Sequence, residues 1–101
     1  MGERPSNRLS HLLEYSEYRP DRVEVAKWRR LLEDEYRTDE YNGDKVVIVE
    51  DKMHFLTGPF LNKKYLVNRV VSDIKYRHEH MRTHEPSLRK AVKDWVDSFS
   101  R

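Results

Sequence analysis

The chain has no cysteine, and only three glycines and four prolines among 101 residues. The first absence excludes disulfides, thiolate metal sites and a cysteine nucleophile, and it fits a reducing compartment. The scarcity of glycine leaves no glycine-rich phosphate loop, and no GxSxG elbow is present. No apolar run approaches the roughly 20 residues that a membrane helix needs. Residues 1–7 lack the apolar core of a signal peptide. The expectation is a cytoplasmic protein (nuclear in a eukaryote, inside the host cell for a viral chain), without membrane contact and without a cofactor.

What the chain has is charge. Charged residues make up 38% of it and hydrophobic residues 37%, with 11% aromatic. A modest apolar supply leans on large side chains, and Trp28, Trp95 and Phe60 are expected as core anchors. A homodimer that adds core at an interface fits the same supply. The charge is unevenly placed. Residues 1–51 carry 9 basic and 13 acidic side chains, and residues 52–101 carry 11 basic and 5 acidic. Between Leu61 and Lys93, nine basic side chains face only Asp73, Glu79 and Glu85, and four of the five histidines lie in the second half. A basic stretch interleaved with Tyr65, Tyr76 and His80 points to a polyanionic partner.

Apolar periodicity divides the chain into elements. Leu9, Leu12, Leu13 and Ser16 predict a short helix from about Leu9 to Tyr18, ended by Pro20. Asp21 and Glu24 have capping-box spacing. Val25, Trp28, Leu32 and Tyr36 then form the stripe of a second helix, which closes on the acidic run Glu33-Asp34-Glu35. Asn42-Gly43 is a strong hairpin signal, because a type I′ turn needs positive φ at both central positions. Val46–Val49 reads as a strand buried on both faces, joined through Glu50-Asp51-Lys52 to a strand at Met53–Leu56. Arg37–Tyr41 adds an edge strand, and Gly58-Pro59 closes the sheet. A third helix is expected over about Leu61–Arg82, with Leu66, Val70, Ile74 and His78 inward. A fourth is expected from Pro86, with Leu88, Val92, Trp95 and Phe99 inward.

The expected architecture is α+β: about four helices packed on a small antiparallel β-hairpin or three-stranded meander. Residues 1–7 are expected as a flexible N-terminus and residues 8–101 as a single domain.

The leading functional expectation is a small non-enzymatic intracellular protein that engages nucleic acid, or a nucleic-acid-bound complex, through the third helix. The residues assigned to that contact are Lys63, Lys64, Tyr65, Arg69, Lys75, Tyr76, Arg77 and Arg82. Lysine and arginine attract phosphates with strong salt dependence, and tyrosine stacks on exposed bases. An acidic protein surface could take the same contact. A second class is an adaptor or inhibitor that docks on a partner protein through the hairpin edge or the acid run Glu33–Glu35. Polarity within one chain also suits self-association, acidic face to basic face.

Two constellations bear on catalysis. His78, Glu79, His80 and His84 have the composition of a metal cluster, but HExxH would need a histidine where Arg82 stands. No metal is therefore assigned. Glu50-Asp51-Lys52, at the end of a strand, resembles the metal-dependent nuclease family PD-(D/E)xK. The resemblance implies magnesium on Glu50 with Asp39 or Asp44 as second acid, Lys52 near the water or phosphate, and Glu14 or Glu17 as further candidates. A charged hairpin turn is the competing reading of the same triplet, and Asp73-Ile74-Lys75 repeats its form.

Overall fold

The computed structural model describes residues 19–100. In chain order these hold α1 (Arg22–Glu35), β1 (Thr38–Tyr41), β2 (Asp44–Val49), β3 (Lys52–Phe55), α2 (Lys63–Arg77) and α3 (Glu85–Ser98). The architecture is α+β, with three helices and a three-stranded antiparallel sheet of order β1-β2-β3. Among the described residues the helix count is three rather than four, and the helix expected over about Leu9–Tyr18 lies outside them.

Asp21 caps α1, its carboxylate accepting from the Glu24 N–H at 3.3 Å. The expected capping box is half made, because the Glu24 carboxylate pairs with Lys27 at 3.1 Å. Asn62 caps α2 through the Tyr65 N–H, and Pro86 occupies the first turn of α3, where its missing N–H costs nothing. The starts of α1 and α3 are tied together at the fully buried Ser87. Its hydroxyl oxygen accepts from the Asp21 N–H at 2.9 Å and lies 2.6 Å from Nδ1 of His84.

α3 packs against both α1 and α2. Trp28, Leu32, Leu66, Val70, Ile74, Leu88, Val92 and Trp95 are the centre of one contiguous core, and Tyr36 lies against Trp95 with ring centroids 5.8 Å apart. α2 ends at Arg77, short of the expected Arg82. Its apolar stripe stops at Ile74. His78, on the next inward position, turns its ring to Glu35 at 3.0 Å, and Met81 returns to the core from a turn.

The sheet leans on this core through its middle strand, where α2 meets β2. Asn42 and Gly43 have φ of 50° and 89°, as the hairpin turn demands, and β1 is the edge strand expected. The β2–β3 turn is Glu50-Asp51, with φ of 52° and 63°, and Lys52 is already in β3. Two non-glycine residues in the left-handed region cost about 1 kcal/mol each. Val47 and Val49 belong to the core cluster. Strand alternation sends Val46 and Ile48 to the opposite face, beside their cross-strand partners Phe55 and Met53.

Phe60 is the clearest correction. It is 72% exposed and is no core anchor. Leu56 and Leu61 on either side of the Gly58-Pro59 turn take the inward positions, and Phe60 is left on the outer face of the sheet against Phe55, with centroids 5.4 Å apart.

Candidate functional site

Two surfaces compete: the outward side of α2 and the outer face of the sheet. On α2, four of the six cations assigned to a polyanion hold carboxylates. Lys63 pairs with Asp97 at 2.6 Å, Arg69 with Glu50 at 2.8 Å, and Lys75 with Glu85 at 2.6 Å. Arg77 pairs with Glu35 at 2.5 Å and Asp73 at 3.0 Å, and lies over the Tyr36 ring. Each exposed pair is worth only about 0–1 kcal/mol to stability. Their effect on the field is larger, since each one cancels a positive charge that would steer an anion.

Lys64 and Arg82 are exposed and have no carboxylate partner among the described residues. They do not form one site. Lys64 begins α2, while Arg82 lines an open cleft of ≈ 620 Å³ with Asp21, Glu24, Lys27 and His84, where both signs of charge meet. Tyr65 is 52% exposed and stacks with His54, and Tyr76 is 79% exposed.

The acidities of the paired groups follow from the same contacts. Burial of the Glu35 carboxyl pushes its pKa up, but the hydrogen bonds from His78 and Arg77 outweigh it and hold it below the ordinary 4.5. Hydrogen bonds from Lys75 and Arg89 lower Glu85 in the same way. The Tyr36 hydroxyl is buried and donates to Asp73, and both effects raise its pKa. His54 is lowered from 6.5, first by burial and then by the charges of Arg69 and Lys52.

The nuclease residues do not converge. Asp44 and Glu50 flank β2 at opposite ends, roughly 20 Å apart at strand rise. The register places Asp39 and Asp44 on the outer face of the sheet and Lys52 on the inner one. Glu50 itself holds Arg69. Glu14 and Glu17 lie outside the described residues. His78, His80 and His84 lie where α2 has ended, so His80 and His84 are not one helical turn apart. Among the described residues no group of three or more His, Asp or Glu side chains is placed to hold a metal ion.

The outer face of the sheet is a different kind of surface. Tyr41 meets Phe55 edge-on at 6.2 Å, and Phe55 packs on Phe60 at 5.4 Å. Met53 and Ile48 continue the patch along the β2–β3 pair. Tyr41 is 49% exposed and Met53 43%. Among the described residues, Val46 is the one buried hydrophobic that stands outside the main core, and its cross-strand partner is Phe55. The alternation Met53, Phe55 in β3 was a signal for it. Phe60 carried none, being a single aromatic in a turn with no periodic neighbours.

Compared with known proteins, the chain matches no protein-family model, no curated protein and no solved structure.

Proposed function

We propose that the protein is a non-enzymatic interaction module that docks on a protein surface through the outer face of its sheet. The observation that carries this reading is the aromatic patch of Tyr41, Phe55 and Phe60 with Met53, which no other described element covers and which is separate from the core. Contact surfaces are enriched in aromatic residues and methionine, and a contiguous exposed apolar patch on a small domain marks such a surface. The test compares proteins retained by the intact chain with those retained by Phe60→Asp and Met53→Asp. Both changes are at exposed positions, and an unchanged thermal midpoint for each variant shows that its fold is kept. A partner set that is lost in these variants and kept in Lys64→Glu supports the reading. A set indifferent to the sheet variants defeats it.

A second reading keeps nucleic acid as the partner of α2, and the exposure of Lys64, Tyr65 and Tyr76 favours it. The contact is then an aromatic one with little electrostatic drive, since the ion pairs have taken up most of the charge. Duplex and single-stranded nucleic acid that fail to bind at low salt defeat this second reading.

A further inference from the structure

We propose that the occupant of the outer sheet face is a second copy of this chain, making a symmetric homodimer sheet to sheet. This rests on the reading of that face as a docking surface and names its partner.

Charge on the face is arranged for self-recognition. Arg37 stands one residue before β1, and its carbonyl accepts from the Ile48 N–H at 3.3 Å. Strand alternation therefore places it on the same face as Asp39 and Tyr41, beside Ile48 and Met53. Asp39 lies opposite Val46, and Asp44 lies opposite Tyr41 at the far end. The face has a cation at one end, carboxylates in the middle and at the other end, and apolar side chains between. A two-fold axis lying between two such sheets and perpendicular to the strands brings β1 over β1 in opposite directions. Arg37 of each copy then meets Asp39 of the other, and Phe55 of each closes on Met53 and Ile48 of the other. In a two-fold contact every complementary pair occurs twice.

Edge pairing is the competing route to self-association, and β1 opposes it. Its exposed edge carries Asp39 and Glu40, so β1 against β1 would set like charges across the ladder. The sheet itself gains from a cover. It has three short strands, is anchored to the helices through β2, and among the described residues its outer face has only its own side chains to shield it.

Size sets the strength. Phe60, Tyr41 and Met53, at 72%, 49% and 43% exposure, offer roughly 300 Å² if each whole side chain counts about 200 Å². Phe55, Ile48 and Arg37 bring the face to about 400–500 Å² per copy, below the ~800 Å² per partner of a standard interface. The dimer is accordingly weak and concentration-dependent.

Sedimentation velocity over a dilution series from micromolar to millimolar tests this. The apparent mass is expected to rise from 12.3 kDa toward twice that value. Phe60→Asp weakens association at least about tenfold with the thermal midpoint unchanged. Arg37→Asp and Asp39→Arg each weaken it alone, and their equimolar mixture recovers it, since the reversed charges again meet opposite signs across the axis. Intact protein that stays monomeric throughout overturns the inference. So does association indifferent to Phe60→Asp, or a mixture no tighter than its components. Protection of Met53 from peroxide oxidation that is independent of concentration also overturns it, because the chain's own residues then cover the face. A monomer whose Phe60→Asp variant still loses captured partners ends the homodimer and leaves the docking reading standing. Unchanged capture ends both.

Discussion

Gly58 is held by the backbone and by a neighbour together. Its φ is +87°, and a Cβ built there would stand 2.5 Å from the Asp44 carboxylate. The turn brings the start of β2 against the exit from β3, and an added methyl would push aside the end of the Asp44 side chain. Gly58→Ala is therefore expected to lower stability by about 1–3 kcal/mol in a urea titration, the combined cost of a left-handed alanine and a displaced side chain. Gly43, also at positive φ, has open space around it and lacks the second part of that penalty. Phe60 shows the converse at the same scale. Its size suggests the core, and its position two residues after Gly58 decides against it.

Helix contacts carry the next layer. Glu35 binds α1 to α2 through Arg77 and His78, and Glu85 binds α3 to α2 through Lys75. Both carboxyls have a folded pKa below the ordinary 4.5. The folded state therefore binds fewer protons than the unfolded chain just below that value. The stability these groups supply is complete above about pH 4.5 and is lost as the pH falls through their lowered values. Denaturant titrations between neutral pH and pH 3 are expected to show this acid decline, and Glu35→Gln with Glu85→Gln to flatten it. An equal decline in the double variant would place the effect in other carboxyls. The helices themselves were readable, since the stripes Trp28–Leu32, Leu66–Ile74 and Leu88–Trp95 are local patterns. The end of α2 was not, because the pattern continues to His78 and only the Glu35 contact shows that ring leaving it.

For the molecule as a whole, the division of charge between the two halves of the chain becomes partly internal. Glu35 and Glu50 from the acidic half reach Arg77 and Arg69 in the basic half. The consequence is quantitative. Six free cations on a duplex would give a slope of log K against log salt near −5.4, whereas Lys64 alone, the cation of α2 without a carboxylate partner among the described residues, gives about −0.9. If nucleic acid binds at all, the shallow slope is expected in a fluorescence-anisotropy titration, with Lys64→Glu reducing affinity. A slope near the steep value would mean that phosphate displaces the carboxylates and that the ion pairs are no obstacle. Dimerisation through the sheet leaves α2 outside the contact, so the two surfaces can be tested separately.

The order of elements, the Asn42-Gly43 turn, the central strand and the apolar stripes were determined by the sequence alone, because each is a property of neighbouring residues. The α+β class followed from them. Tertiary structure decided the rest. Alternation along β2 and β3 distinguishes two faces, but it does not say which one a helix will cover; α2 took the side of Val47 and Val49 and left Phe55 and Met53 outside. A run of Lys and Arg shows its charge, but not the carboxylates that reach it from 42 residues away, as Glu35 reaches Arg77. Long-range pairing turned the most visible feature of the sequence into a largely neutralised surface, and the sheet face that no other described element covers is the contact surface we propose instead.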